Sequence, residues 1–358
     1  MTPILQKSAA LCNARRPIIL IGPGASLAIP ECMELAKRTG AALVTTPDAK
    51  SLIDESSPYA GGNYSFGATN RTRAIVAGAD FVLAVGTSLP RFATDKGGLD
   101  GRKVPVLQII EDSMDQALLP DDVIVASIAE ALGGFVSLQS EAHRPPWITS
   151  LSWAPECVAH SKGGLMHPSD AVWALYEALP TPARIYCDIT SAALHVLRLP
   201  LGPTNRLSLQ IEKSACMGTA LGKAIGGRFK NDTPTLVVVG DWGMLMSLSE
   251  LHTLACSPMP GFLVACLSNF GGAMIRSGVR EQRIDVPSSV HSWESPRFAI
   301  VAKGLGVHAL TVRTPRDLYR AARAGLRAQY PVFIDMIVDP DAEIPGAGER
   351  FDDLSRCS

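Results

Sequence analysis

Apolar residues in this chain gather into short blocks, and the spacing between blocks predicts the fold. In the first third, Pro17–Ile21, Ala42–Thr45, Phe81–Val85 and Val106–Ile110 are continuous apolar or β-branched runs of strand length, and Pro30–Thr39 carries the three-to-four-residue spacing of a helix. Uninterrupted apolar runs suit strands covered on both faces, as in a parallel sheet. The alternation resumes further on, with helices at Pro168–Leu179, Gly218–Gly226, Leu248–Ala255, Pro296–Gly304 and Pro315–Ala328. Between them lie strands at Arg184–Cys187, Thr235–Val239, Phe262–Leu267, His308–Val312 and Val332–Val338. The fold class is therefore α/β, with two tandem parallel-sheet α/β domains and helices on both faces.

The first domain is expected over residues 1–138 and the second over 167–345. Residues 139–166, which hold Pro145, Pro146, Trp147, Trp153, Pro155, Gly163 and Gly164 without a sustained period, are expected as a linker, and residues 346–358 as a tail. The segment Ile21-Gly-Pro-Gly-Ala25 follows the first strand. A phosphate-binding turn and a plain tight turn both stand open there, and the missing third glycine favours the plain turn.

Composition narrows the setting. The 33 basic and 34 acidic residues leave a formal net charge of −1 without long runs of one sign, which gives no footprint for nucleic acid or anionic membrane. Eight cysteines stand singly with no CxxC pair, as suits reduced thiols. With no apolar signal core near Met1 and no apolar stretch long enough to span a bilayer, a cytoplasmic location is expected.

Two buried runs end in oxygen donors. Thr235–Val239 leads through Gly240 into Asp241, and Phe262–Leu267 leads through Ser268 into Asn269, with one helix expected between them. A right-handed βαβ crossover brings both donors to the carboxyl edge of neighbouring strands, where open sheets hold ligands. Taken alone, Asp241 reads as the cap of the helix that follows. Paired with Asn269 it suits Mg²⁺, which takes a few protein oxygens and completes its octahedron with phosphate and water.

The run Gly240-Asp241-Trp242, twenty-five residues, then Ser268-Asn269 resembles the diphosphate-binding motif of thiamine-diphosphate enzymes, usually GDG, about 24 to 27 residues, then NN. The resemblance implies that Asp241, Asn269 and the carbonyl of Gly271 bind Mg²⁺, with Gly271-Gly272 as backbone that approaches the ion closely. Upstream, Ala215-Cys-Met-Gly218 and the glycine-rich run to Gly226 are similar to the segment in which a large apolar residue, here Met217, props the cofactor into its bent form; a core filler is the other reading of Met217. Thr190 and Ser191, after the strand ending at Cys187, are hydroxyl candidates for the diphosphate, or simple helix caps. Pro17–Gly24, Leu43–Thr46 and Ala79–Thr87 resemble the central domain of acetolactate-synthase-like and 2-oxo-acid-decarboxylase-like members, which in some relatives holds a nucleotide such as FAD.

Departures from that pattern shape the functional expectation. Trp242 stands for the third glycine, Gly243 for a serine and Ser268 for the first asparagine. The resemblance covers no pyrimidine-binding domain, whose glutamate activates the cofactor ring in relatives. A split enzyme is therefore expected, in which a separate pyrimidine-binding subunit completes an α₂β₂ heterotetramer. The expected reaction is decarboxylation of a 2-oxo acid with transfer of the acyl carbanion equivalent to an acceptor. The alternatives are plain decarboxylation or a non-catalytic regulatory subunit. The catalytic candidates are Met217, through the cofactor's shape, and Arg276, with Arg280 beside it, for a substrate carboxylate, although a solvated basic loop is the plainer reading of the arginines. His195, His252 and His291 are the histidines expected nearest the pocket.

Overall fold

A computed structural model describes residues 10–90, 94–95, 99, 104–115, 122–150, 164–211 and 214–345. It divides into unit 1, residues 1–156 with 200–203, and unit 2, residues 157–199 with 204–358.

Unit 1 runs β1 (Pro17–Ile21), α1 (Ile29–Thr39), β2 (Ala42–Thr45), β3 (Ala60–Asn63), α2 (Asn70–Gly78), β4 (Phe81–Val85), β5 (Val106–Ile110), β6 (Asp122–Val125) and α3 (Ile128–Ser137). Its strands pair in parallel in the order β3-β2-β1-β4-β5-β6. Side chains alternate between the faces of a strand, so each of these apolar runs feeds two cores. Ile19, Ile21, Leu83 and Val85 pack with Leu35 of α1 and Phe135 of α3, whereas Ile18, Leu20, Val82 and Ala84 pack with Ile75 and Val76 of α2. Helices on both faces are thus required by the strand composition. Of the stretch expected as a linker, residues 139–150 belong to unit 1, where the Trp147 indole N–H donates to the Pro17 carbonyl at 2.9 Å and Ile148 is buried, and residues 164–166 belong to unit 2, where Met166 bridges to Val338. The rest of that stretch from 151 to 163, and the tail at 346–358, lie outside the described residues.

Unit 2 contains α4 (Pro168–Ala178), β7 (Ala183–Cys187), α5 (Ser191–Val196), β8 (Asn205–Ser208), α6 (Ala220–Arg228), β9 (Thr235–Gly240), α7 (Asp241–Met246), α8 (Leu248–Ala255), β10 (Phe262–Ser268), α9 (Ala273–Glu281), α10 (Phe298–Gly304), β11 (His308–Val312), α11 (Pro315–Gly325) and β12 (Val332–Ile337). These strands are also parallel, in the order β11-β12-β10-β9-β7-β8. Val237, Val239, Phe262, Val264 and Phe333 form one core with Leu221, Leu251, Leu254 and Phe298. β9 and β10 are buried along their whole lengths, which fixes the positions of the residues that follow them.

Two helices, not the one expected, link β9 to β10, because the chain turns at Ser247, whose hydroxyl donates to the Gly243 carbonyl at 2.8 Å. Among the described residues Cys12, Cys32, Cys187, Cys216, Cys256 and Cys266 are unpaired thiols, and no helix is long and apolar enough to cross a membrane.

Candidate functional site

Parallel register sets Gly240 of β9 beside Leu267 of β10, so Asp241 and Asn269 leave adjacent strand ends. Asp241 Oδ2 accepts hydrogen bonds from the Gly271 amide at 3.0 Å and the Ser295 hydroxyl at 3.1 Å. The Asn269 carboxamide end lies 3.3 Å from Asp241 Oδ1 and 2.8 Å from the Gly271 carbonyl oxygen. With nitrogen at that position it donates to both. With oxygen there, three oxygens face one another, an arrangement that only a cation stabilises. Neighbouring oxygens around octahedral Mg²⁺ at about 2.1 Å lie roughly 3 Å apart, so this donor set fits the ion. Burial pushes the Asp241 carboxyl above its ordinary range, and its hydrogen bonds from Gly271 and Ser295 draw it back only in part. A bound dication would compensate the buried charge more fully.

The loop that carries these donors is held in an uncommon backbone shape. Phe270 has φ of 62° and Gly271 of 136°, and a Cβ on Gly271 would meet the His291 carbonyl oxygen at 2.2 Å, so glycine is needed there. The Gly272 amide donates to that same carbonyl at 3.0 Å and the Trp293 amide to the Phe270 carbonyl at 3.1 Å. Arg276, expected to meet a substrate carboxylate, is buried. Its guanidinium donates to the carbonyls of Asn269 (3.3 Å), Phe270 (3.0 Å) and Pro340 (2.6 Å), and its Nε to Ser292 Oγ at 3.1 Å. That fork braces the loop from behind. Trp242 stacks on Trp293 with ring centroids 4.9 Å apart and 8° between planes, and its six-membered ring lies against Gly272. The large residue in place of glycine therefore covers the loop instead of entering the core, and its buried indole N–H has no hydrogen-bond partner.

On the other side of β9, β7 contributes a residue that the motif reading passed over. Asp188 is buried and accepts from the amides of Gly218 (2.7 Å), Thr219 (3.1 Å) and Ala220 (3.4 Å), capping α6. Burial raises its carboxyl and those three amides lower it. The position of Met217, half-buried, and of Gly218 is thus set by a carboxylate thirty residues upstream of Gly218. Gly243 is explained by the same group, since a Cβ there would come within 2.1 Å of Asp188 Oδ2. Gly218 has φ of 75° and room only for hydrogen against Met246. The place of Asp188 at the carboxyl end of β7 was legible in the sequence, but not the three amides at the start of α6 that it caps. Thr190 makes no side-chain cap and its hydroxyl sits over Gly240, where a Cβ would meet it at 2.6 Å; Ser191 is buried as the first residue of α5, and Ala215 is exposed. Ser268, in place of the motif's first asparagine, donates to the buried Asp335 at 2.5 Å and ties β10 to β12.

Of the three histidines, only His291 reaches the loop, and through its backbone. His195 is paired with Ser169 Oγ at 2.8 Å, and burial pushes its pKa down to about 3, which leaves it neutral. His252 is exposed on α8. In unit 1, the amides of Gly22 and Gly24 donate to the carbonyls of Val85 (2.8 Å) and Gly86 (2.9 Å), so the turn after β1 is closed by β4's loop and does not present those groups to a phosphate.

The chain matches two family descriptions, "Thiamine pyrophosphate enzyme, central domain" over residues 6–133 and "Thiamine pyrophosphate enzyme, C-terminal TPP binding domain" over residues 190–336. It is 26% identical over 359 residues to a sulfoacetaldehyde acetyltransferase of Rhodobacter capsulatus, covering 90% of this chain and 60% of that protein. Identity is 23% over 349 residues to an acetolactate synthase large subunit of Parasynechococcus marenigrum, covering 91% and 54%, and 23% over 361 residues to a pyruvate oxidase of Lactiplantibacillus plantarum, covering 98% and 59%. The chain thus spans between 54% and 60% of the length of these three relatives.

Proposed function

Because the chain belongs to the thiamine pyrophosphate enzyme family, we propose that it binds Mg²⁺ and thiamine diphosphate at the carboxyl ends of β7, β9 and β10 and serves in decarboxylating a 2-oxo acid and passing the acyl carbanion equivalent to an acceptor. The observation that carries this reading is the convergence of Asp241, Asn269 and the Gly271 carbonyl on one point. When bound, the cofactor supplies the electron sink for decarboxylation. This chain's residues would hold its diphosphate end, Asp241, Asn269 and Gly271 through the ion and Thr190 through its hydroxyl, while Met217 with Gly218 behind it would support the cofactor's bent form. Trp242 and Trp293 keep water from the back of the ion loop.

Transfer is preferred over plain decarboxylation on the strength of the relatives, an acetyltransferase and an acetolactate synthase among them. Arg276 no longer argues for it, since its donors serve the loop. In this proposal the acid that activates the ring lies outside these 358 residues, on a partner polypeptide of an α₂β₂ assembly.

Calorimetric titration of thiamine diphosphate into the chain, with and without Mg²⁺, tests the reading. Binding is expected to require Mg²⁺ and to weaken at least about 100-fold in Asp241→Ala, beyond the usual effect of altering an outer-shell group. Binding that ignores Mg²⁺ or the substitution removes the site assignment. Release of CO₂ from pyruvate by the isolated chain at ordinary enzymatic rates would remove the separate-subunit part.

A further inference from the structure

The two oxygens of Asp241 have different surroundings. Oδ2 accepts two hydrogen bonds, from the Gly271 amide at 3.0 Å and from Ser295 Oγ at 3.1 Å, whereas Oδ1 faces the Asn269 carboxamide end at 3.3 Å. A carboxylate oxygen has two in-plane lone pairs, so two donors occupy both of them on Oδ2. Oδ1 is the oxygen turned to the Asn269 carboxamide end, where a cation would sit. The Gly271 donor sits on the loop that also provides the carbonyl ligand. Ser295 comes from elsewhere, in the stretch between α9 and α10, at no position that the diphosphate motif names.

That stretch is fastened where it passes the loop. The Trp293 and Gly272 amides bond across it to Phe270 and His291, Ser292 Oγ accepts from Arg276 Nε, and Trp293 stacks on Trp242. Ser295 is thereby delivered to Asp241 Oδ2 by a segment whose register is set on three sides. The orientation of the carboxylate is then a property of the fold and does not depend on the ion.

Resting on the proposed function above, we infer that Ser295 is a positioning residue that holds Asp241 as a one-oxygen ligand and so makes the site selective for Mg²⁺ over Ca²⁺. Mg²⁺ needs near-ideal octahedral geometry at 2.0–2.1 Å and takes single carboxylate oxygens, whereas Ca²⁺ accepts six to eight oxygens at 2.3–2.6 Å and readily takes both oxygens of one carboxylate. Removing the serine hydroxyl frees one lone pair on Oδ2 and lets the carboxylate rotate to offer both oxygens. The smaller ion loses its fixed ligand, and the larger one gains a second.

The experiment titrates the full chain, in the presence of thiamine diphosphate, with Mg²⁺ and separately with Ca²⁺, read by heat and by the intrinsic fluorescence of the Trp242–Trp293 stack that rests on Gly272. In Ser295→Ala the Mg²⁺ dissociation constant is expected to rise about 10- to 100-fold, as for loss of an outer-shell partner, while that for Ca²⁺ changes less than about 3-fold. Ser295→Thr, which keeps the hydroxyl, is expected to retain the wild-type Mg²⁺ preference. Equal weakening of both ions in the alanine variant, or no change in either, overturns the inference. A wild-type chain that binds neither ion removes the proposed function itself, and the role of Ser295 with it.

Discussion

Two turns in this molecule follow a buried parallel strand and are rich in glycine, yet they do opposite things. After β1, Gly22 and Gly24 let two backbones meet: a Cβ on Gly22 would lie 2.4 Å from the Gly86 carbonyl oxygen, and one on Gly86 would lie 2.3 Å from the Ala25 amide nitrogen. The glycines close that turn and its amides are used up within the protein. After β10, Gly271 and Gly272 let the chain swing past His291 with the Gly271 carbonyl still directed at Asn269 and Asp241. Glycine in the first turn serves packing, and in the second it presents an oxygen. The difference lies in the neighbours, since a carboxylate and a carboxamide flank one turn, whereas the Gly86 backbone and the Thr87 side chain fill the space beside the other.

Substitutions that respect this contrast should separate the two turns. The largest effect is expected from Gly86→Ala, whose new methyl group meets the Ala25 amide at a backbone φ of 63°. Strain and overpacking together should cost about 3 kcal/mol or more of unit 1 stability. Denaturant unfolding measures this, and Mg²⁺ affinity should stay unchanged; a wild-type midpoint would mean that the turn is looser than its bonds indicate. Next comes Gly243→Ser, which restores the serine of related motifs but drives a Cβ into Asp188 Oδ2. It should displace the cap of α6 and weaken thiamine diphosphate binding about 10-fold, as outer-shell changes do. Tighter binding would show that Asp188 has another seat. The smallest effect is expected from Arg276→Lys, which keeps the charge and loses the fork that spans the Asn269, Phe270 and Pro340 carbonyls. It should weaken Mg²⁺ binding several-fold while leaving KM for a 2-oxo acid unchanged in the proposed assembly. A raised KM with intact Mg²⁺ affinity would return Arg276 to the substrate.

How much of this was legible along the chain depended on burial. β1, β2, β4, β5, β9 and β10 are covered on both faces and read as unbroken apolar runs. β3, β6 and β8, which periodicity missed, all lie at sheet edges; Ala-Gly-Gly-Asn and Asn-Arg-Leu-Ser carry weak strand signals, and Asp-Val-Ile-Val, though β-branched, is only four residues long. The short helices α5 and α7 escaped for a related reason: at six residues each they are too brief to show a period.

The site divides in the same way. Asp241 and Asn269 were determined by the sequence, because a buried strand ending in an oxygen donor must place it at the sheet's carboxyl edge, and two such strands joined by a crossover become neighbours. The roles of Arg276, Trp242, Asp188 and Ser295 were decided by tertiary structure alone. Each depends on a partner far along the chain or on the direction of a side chain: Pro340 for Arg276, Trp293 for Trp242, Gly218 for Asp188, Asp241 for Ser295. A linear pattern records how often apolar residues recur, and so it specifies which positions are buried. It carries no information about which buried donor meets which acceptor until the sheet and its loops have closed.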